Sequence, residues 1–319
     1  RFLLRLRQAY PFVYLTDDGG ADYRKKAYTT ACTLIEAHGV TTIFSSFRPW
    51  SDHLVVRRLK AKYPYLRWIA DFRDLPVDPV RRDVWLPTLQ RWWGKRVIRA
   101  ADEVWAVSKG QKAQLEGWHP SIKVRRNPLL ALPPERTAPV TERFTITYTG
   151  SLYPGLQTVR PVVRGLVELL DSGTILADKL CLQYRGKDAN TFRRWTADLP
   201  DDCLDVAPAI APAAAQEMQQ NATVLLLLNW SAPAYFGVLT AKLWDYLATG
   251  RPVLALVNGP GDEELEDIVL AAAAGAVLRT EEQGKVKAWL ANAYQEWDKA
   301  GTFAWSPNRE ALAEYLPNT

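Results

Sequence analysis

The chain has 319 residues, of which 48% are hydrophobic and 24% are charged. This is the composition of an ordinary soluble globular protein, and the length suits two domains. No apolar run reaches the roughly 18 residues that a membrane-spanning helix needs, so the sequence predicts no such helix. The three cysteines are widely spaced and fit no metal or redox motif, which favours a reducing compartment and a cytoplasmic location.

The net charge of +5 is distributed unevenly along the chain. Residues 1–127 hold 24 Lys and Arg against 12 Asp and Glu, a balance of +12, and the remainder holds 16 against 23, a balance of −7. A basic first half suits an acidic partner such as anionic phospholipid, a lipid-diphosphate acceptor or nucleic acid. The alternative is a generic solubilising surface. We expect no nucleic acid, because the basic residues are scattered over several elements and form no recognisable binding module.

The first 126 residues have the pattern of an α/β domain. Arg1–Tyr10 is a basic amphipathic segment that either packs on its own domain, the alternative we favour, or touches a membrane. A helix is predicted over Arg24–His38, and short apolar runs predict buried strands at Thr41–Ser45 and Arg67–Ala70. Val80–Ala101 is a long helical region in which tryptophan is interleaved with arginine, a pattern that favours a membrane-interface or acceptor surface.

Charged residues follow the second of these strands. Asp71 and Asp74 can accept hydrogen bonds from sugar hydroxyls, and Arg73 between them can bind a phosphate. The alternative is an internal Asp–Arg bridge that holds the loop together. His53, at the start of the preceding helix, faces the same end of the sheet and is a candidate for proton transfer, although a histidine in this position is more often structural.

A proline-rich, aperiodic stretch at residues 127–143 is interpreted as an interdomain linker. The strand Phe144–Gly150 then opens a second domain, and its final glycine permits close approach of a ligand to the backbone. The alternative is an ordinary glycine turn between a strand and a helix. The predicted segments are a first domain at 1–126, the linker, a second domain at 144–302 and a terminal helical segment at 303–319.

The second domain is organised around residues 223–257. Continuous apolar runs predict buried strands at Thr223–Leu228 and Val253–Val257. Between them the apolar spacing predicts a helix that begins near Thr240 and ends at Gly250. A loop that leaves the carboxyl end of a buried strand and enters a helix N-terminus is the usual ligand position in open α/β sheets, and helix N-termini attract phosphate.

Three charged residues of the second domain are candidates for nucleotide contacts. Lys242, in the first turn of this helix, suits a diphosphate, and Asp245, three residues later on the same flank, suits ribose hydroxyls. The alternative for both is a solvated helix surface. Arg185 ends a predicted strand and could reach a phosphate, although a surface role is the commoner one.

Several motifs resemble glycosyltransferase family 4, whose members have the GT-B fold. SSFRPWSDHL, WIADFRD and AADEVWAVSKG resemble the acceptor-side domain of one bacterial branch, and YTGSL at Tyr148–Leu152 resembles the donor side. KLWDYLATGRPVL resembles the family's donor helix, with Asp245 at the position of its second glutamate. Gly237 stands where the family has its first glutamate, which contacts the donor sugar.

The resemblance implies two doubly wound Rossmann-like α/β domains, a terminal helix that crosses back to the first domain, and an opening portion of that domain that precedes Arg1. It implies a hexosyltransferase that moves a sugar from a nucleotide-diphosphate sugar to a lipid-linked or polysaccharide acceptor with retained configuration. No two aspartates are separated by one residue, so a DxD metal site is absent, and we expect no metal and no cofactor. The candidate residues on the acceptor and catalytic side are Asp71, Arg73, Asp74 and His53. The candidate donor-binding residues are Gly150, Ser151, Arg185, Asn229, Leu239, Thr240, Lys242 and Asp245.

Two other functions are alternatives. A GT-B sugar-nucleotide epimerase would act on its donor without any acceptor. A nonenzymatic binding or scaffold protein would keep the fold without the catalytic groups, and Gly237 in place of glutamate favours that alternative. For a transferase, the expected partners are a nucleotide sugar, a saccharide or lipid-linked acceptor, and an anionic membrane at the inner face of the cytoplasmic membrane.

Overall fold

A computed structural model gives the fold of the chain. It describes residues 3, 6, 10–12, 20–80, 84–135, 140–233, 235–303 and 305–317. The chain forms two compact units, with the division between Arg126 and Asn127. Most of the basic segment predicted at 1–10 lies outside the described residues. Within the described ranges, no helix has the length and apolar character that crossing a bilayer requires.

The first unit is built around one parallel sheet. Its elements in chain order are α1 (Gly20–His38), β1 (Thr42–Phe47), α2 (Trp50–Lys62), β2 (Arg67–Phe72), α3 (Pro87–Ile98), β3 (Glu103–Ala106), α4 (Lys109–Gln114) and β4 (Ile122–Val124). The strands lie in the order β1-β2-β3-β4, and every neighbouring pair is parallel. The inner strand β2 is buried from Trp68 to Phe72, which explains its unbroken apolar start.

The second unit is built around a larger parallel sheet. Its strands are β5 (Phe144–Thr149), β6 (Leu180–Arg185), β7 (Leu204–Ala207), β8 (Val224–Trp230), β9 (Val253–Asn258) and β10 (Gly275–Arg279). Its helices are α5 (Arg160–Asp171), α6 (Ala189–Trp195), α7 (Pro212–Gln220), α8 (Ala241–Thr249), α9 (Glu263–Ala271), α10 (Gln283–Ala300) and α11 (Arg309–Ala313). The strand order is β10-β9-β8-β5-β6-β7, with all neighbours parallel.

The direction in which this sheet grows reverses between β5 and β8. After β5 the chain adds β6 and then β7 on one side, and after β8 it adds β9 and then β10 on the other. In an open parallel sheet, the crevice at such a reversal is where ligands bind, outside the carboxyl ends of the strands. The two strand ends that border this crevice are Thr149–Gly150 and Asn229–Trp230.

Helices cover both faces of the second sheet. Leu226 and Leu228 pack in the core beneath α5 and α10, whereas Leu225 and Leu227 pack in the core beneath α8 and α9. Burying a leucine side chain stabilises the fold by about 1.5–3 kcal/mol, and β8 gains this on both faces. The double burial explains why β8 is a continuous apolar run without alternation. The predicted α/β class with two Rossmann-like parallel sheets is confirmed.

The end of the chain packs on the second unit. Leu312 of α11 is buried in the same core as Leu129, and the Leu129 N–H donates to the Tyr315 carbonyl over 2.8 Å. The Tyr315 ring centroid also lies 5.0 Å from that of Trp244. Leu129 therefore belongs to the core of the second unit, although the sequence predicts a linker there. The return of the terminal helix to the first domain stays a prediction.

Candidate functional site

The turn after β5 closely approaches the first turn of α8. Gly150 adopts φ +115°, a conformation that glycine tolerates and other residues rarely adopt. A Cβ atom at this position would lie 2.4 Å from Cε of Lys242, which is closer than two carbon atoms can pack. Glycine at position 150 therefore allows the Lys242 side chain to lie across the end of β5.

Lys242 is half-buried, and its hydrogen-bond partners are neutral. Its Nζ donates to the Tyr148 hydroxyl over 2.9 Å and to the Ser151 carbonyl over 3.4 Å, and lies 4.8 Å from the centroid of the Tyr148 ring. No carboxylate in the described part of the chain pairs with it. Burial lowers its pKa to about 8. A buried ammonium group without a counter-ion is well suited to bind an anion.

Hydrogen bonds from β6 and α6 hold the glycine turn in place. The Tyr184 hydroxyl donates to the Gly150 carbonyl over 2.9 Å, and an Asp188 carboxylate oxygen accepts from the Leu152 N–H over 2.9 Å. The rings of Tyr148 and Tyr184 stack with their centroids 5.9 Å apart. Sequence reasoning missed Tyr184 and Asp188, although Tyr184 is the direct cross-strand partner of Tyr148 in the β5–β6 pair.

Unpaired polar atoms lie at the end of β8, on the other side of the crevice. The Asn229 side chain is 2% exposed, and neither its Oδ1 nor its Nδ2 has a hydrogen-bond partner among the described residues. The Nε1 of Trp230, the next residue, is buried and unpaired as well. Leaving a buried polar group unpaired costs about 1–3 kcal/mol, so a ligand that supplies partners would gain this energy.

Asp262 fixes the backbone of the loop that enters α8. One of its carboxylate oxygens accepts from the N–H groups of Gly237 and Val238 over 2.9 and 3.3 Å. The other oxygen caps α9 by accepting from the Leu265 N–H. Gly237 adopts φ +72°, so a glutamate at this position would be strained. Sequence reasoning missed Asp262, because its contact with Gly237 spans 25 positions and leaves no local pattern.

The other donor candidates near α8 differ in what they contact. Leu239 is buried in the core against α8 and anchors the loop, and Thr240 directly precedes α8 without capping it through its side chain. Asp245 is exposed and has no hydrogen-bond or ion-pair partner in the described ranges. Partial desolvation raises the pKa of its carboxyl group. The structure thus brings Lys242 to the glycine turn and places Asp245 further along α8.

The side chain of Arg185 is not directed to the glycine turn. Its guanidinium donates to both carboxylate oxygens of Asp205, over 2.8 and 2.9 Å, and to the Asp205 backbone carbonyl over 2.9 Å. Its own backbone carbonyl accepts from the Gly150 N–H over 2.8 Å. Asp205 on the neighbouring strand β7 thus engages the side chain, and the phosphate contact stays a prediction.

At the carboxyl end of the first sheet, Asp71 forms an ion pair with Arg73. One Asp71 carboxylate oxygen accepts from Arg73 Nε over 2.7 Å and from the Ser46 hydroxyl over 3.0 Å. The other oxygen is buried without a partner among the described residues, and burial raises the pKa of this carboxyl although Arg73 opposes the shift. Arg73 and Asp74 are exposed at the same edge. The internal Asp–Arg bridge is present, and acceptor binding by these three residues stays a prediction.

His53 lies in the core of the first unit. Its ring is fully buried against Trp50 and Phe72, and its Nδ1 lies 2.7 Å from the Ser45 hydroxyl. Burial lowers its pKa to about 3. The burial is in line with the structural role that a histidine at a helix start more often has, and the role in proton transfer stays a prediction.

The site of the second unit is therefore suited to an anionic ligand. Lys242 supplies a positive charge, and the N–H groups in the first turn of α8 add the positive end of the helix dipole. Within the described ranges, no group of three or more His, Cys, Asp or Glu side chains is placed to hold a metal ion.

Comparisons with known proteins bear on the fold. No protein-family model matches the sequence, and no curated protein gives a significant match. Among solved structures, TarM has 7% sequence identity and a TM-score of 0.56, over 86% of this chain and 52% of TarM. WaaG, a glycosyltransferase involved in lipopolysaccharide biosynthesis, has 13% identity and a TM-score of 0.51, over 93% of this chain and 92% of WaaG.

The chain has a GT-B fold. It spans about half the length of TarM, at 52%, and nearly all of WaaG. At these sequence identities the similarity extends to the fold alone, so membership of glycosyltransferase family 4 stays a prediction.

Proposed function

We propose that the chain is a glycosyltransferase that moves a sugar from a nucleotide-diphosphate sugar to a saccharide or lipid-linked acceptor. The observation that carries the proposal is Lys242, a half-buried cation that lies across Gly150 at the sheet reversal and has no carboxylate partner in the described structure. A diphosphate would supply the missing counter-charge. The GT-B fold, shared with the glycosyltransferase WaaG, supports the same function.

In this proposal the diphosphate binds between the glycine turn and the N-terminus of α8. Lys242 contacts its oxygens, and the first N–H groups of α8 add further donors. Negative charge builds up on the diphosphate as its bond to the sugar breaks, and the Lys242 ammonium stabilises that charge. The bound anion also favours the protonated form of Lys242, so the cation stays charged when it is needed.

Asn229 and Asp245 are proposed to recognise the neutral parts of the donor. The Asn229 amide hydrogen-bonds a donor hydroxyl, which removes the cost of burying that amide unpaired. The Asp245 carboxylate accepts from ribose hydroxyls. Asp71, Arg73 and Asp74 are proposed to act on the acceptor side.

We further propose a retaining, metal-independent transfer of the family 4 type, in cytoplasmic synthesis of a surface polysaccharide. The bond from the anomeric carbon to the diphosphate breaks, and a bond from that carbon to the acceptor oxygen forms. The acceptor proton passes to the oxygen of the leaving phosphate, so no protein base is required. The burial of His53 is consistent with this route.

The experiment that tests the proposal is calorimetric titration of the whole chain with UDP, GDP and their common sugar conjugates, in EDTA. We expect one nucleotide to bind at micromolar strength and its sugar conjugate to compete for the same site. Failure of every nucleotide to bind a demonstrably folded chain would contradict a donor site. Incubation of the bound sugar nucleotide without an acceptor then separates the alternatives, because an epimerase converts it, whereas a scaffold leaves it unchanged even when acceptors are added.

A further inference from the structure

A groove runs between α1 and α2 on the first unit. Its volume is about 570 Å³, and it is lined by residues within 21–28 of α1 and 54–61 of α2. None of the lining residues belongs to the sheet edge at Asp71, so the groove is separate from the candidate acceptor-side residues.

Cations line this groove, and none of its lining residues in the described part of the chain carries a carboxylate. Lys25 and Arg57 are exposed, and neither side chain has a hydrogen-bond or ion-pair partner among the described residues. Asp22 and Asp52, the acidic residues nearby in the two helices, do not line the groove, and Asp52 accepts from the Tyr23 hydroxyl over 2.6 Å. Positive charges that line one groove repel each other, so an anion that binds among them is stabilised. The cationic lining residues are Arg24, Lys25, Arg57 and Arg58.

Between the cations the groove is apolar. Val55 is buried and Leu54 is half-buried, and two alanines complete this apolar lining. The Arg58 guanidinium carbon lies 4.0 Å from the centroid of the Tyr28 ring, which holds the guanidinium on the aromatic face. Stacking of this kind leaves the N–H groups at the edge of the guanidinium available to an acceptor. An apolar floor with a cationic rim suits a ligand that joins a phosphate to a hydrocarbon chain.

We propose that this groove binds the phosphate headgroup of an anionic lipid and thereby holds the first unit at a membrane surface. The phosphate lies among the ammonium and guanidinium groups, and the first methylene groups of the lipid lie on Leu54 and Val55. The balance of +12 over residues 1–127 attracts the same surface at longer range. This surface is distinct from the donor site, and the inference does not depend on sugar transfer.

The test is flotation of the whole chain with vesicles of phosphatidylcholine that contain about one fifth phosphatidic acid. We expect the wild-type chain to bind these vesicles and to bind pure phosphatidylcholine weakly. A basic residue near an anionic surface contributes about 1 kcal/mol, so the double substitution Lys25→Ala and Arg57→Ala should lower the partition coefficient about 30-fold.

The matched control is the double substitution Arg164→Ala and Lys299→Ala, which removes the same two residue types from exposed positions on α5 and α10 of the second unit. It should change the partition coefficient by less than about threefold. An equal fall of the partition coefficient in the two double variants would contradict the groove as the lipid site and would favour general electrostatic attraction. Equally tight binding of soluble glycerol phosphate would overturn the lipid as the ligand. Unchanged nucleotide titrations in both variants would show that the result is independent of the donor site.

Discussion

Both parallel sheets carry charged residues at their carboxyl edge, and the two edges neutralise that charge differently. In the first unit the buried Asp71 is paired with Arg73 and with the Ser46 hydroxyl. In the second unit the half-buried Lys242 contacts a tyrosine hydroxyl and a backbone carbonyl, with no carboxylate partner among the described residues. A paired buried charge is compatible with a purely structural loop, whereas an unpaired one is costly unless a ligand completes it. The comparison therefore favours the second edge as the place where an anionic ligand would bind.

The largest expected effect comes from Gly150→Ala. The new Cβ would overlap Lys242, so the lysine must leave the turn, and we expect donor affinity to fall about a hundredfold. Gly155→Ala is the matched control, because Gly155 also has a positive φ of +86° but has nothing within 4 Å of its Cβ position. Both changes should lower stability by about 1–3 kcal/mol in thermal unfolding. Equal loss of affinity by calorimetry in both variants would show that the Lys242 contact is not the cause.

Lys242→Met tests the unpaired cation directly. A hydrogen bond to a charged group contributes about 1.5–3 kcal/mol, so we expect nucleotide affinity to fall about 30-fold in calorimetric titration. The free energy of unfolding should stay the same or rise, because the substitution removes a buried charge that has no counter-ion in the described structure. Asp71→Asn should leave nucleotide affinity unchanged, because Asp71 belongs to the first unit. A loss of nucleotide binding in Asp71→Asn would remove the contrast between the two edges.

The pH dependence of binding sharpens the same contrast. Burial lowers the pKa of Lys242 from 10.5 to about 8, and a bound diphosphate should raise it again. Binding of a nucleotide sugar must then take up a proton, and its affinity should fall by up to about tenfold per pH unit above pH 8. Without a ligand, and between about pH 8 and pH 10.5, Lys242 is mostly unprotonated in the folded state and mostly protonated in the unfolded state. The free energy of unfolding should therefore rise with pH over this range. Calorimetry in buffers of different protonation enthalpy measures how many protons are taken up when the nucleotide sugar binds. Lys242→Met should abolish this proton uptake.

Asn229→Leu has the smallest expected effect. The leucine fills a similar volume without the unpaired amide, so the empty protein should gain about 1 kcal/mol in denaturant unfolding. Affinity for the nucleotide sugar should fall about fivefold, because one donor hydroxyl loses its partner. A variant with unchanged stability and unchanged affinity would show that Asn229 does not contact the donor.

The sequence predicts the central part of the second unit well. β8, α8 and β9 lie within a few residues of their predicted bounds, because β8 and β9 are buried on both faces and Gly250 ends α8 in a left-handed conformation. Lys242 and Gly150 were both singled out as donor-binding residues, and the structure brings them into contact. These features depend on local patterns that one chain segment carries by itself.

Local sequence patterns do not indicate a partner that comes from a distant segment. The sequence around Arg185 favours a surface position for its side chain. In the structure, Asp205 on the neighbouring strand forms an ion pair with it. His53 lies at a helix start, where a histidine is more often structural, and the aromatic side chains around it are brought together by the fold of the first unit. Asp188 and Asp262 hold the two loops of the site through contacts that no periodicity indicates.

Lys242 also has a consequence for chemical reactivity. An amine with a pKa of about 8 is largely unprotonated in mildly alkaline solution, where an ordinary lysine is still an ammonium ion. The unprotonated amine is a nucleophile, so amine-directed acylating reagents should modify Lys242 before they modify the solvated lysines of the surface. A bound nucleotide would shield the amine and protonate it. The same partial burial that would favour an anionic ligand therefore predicts selective acylation of Lys242, which peptide mapping after labelling would detect.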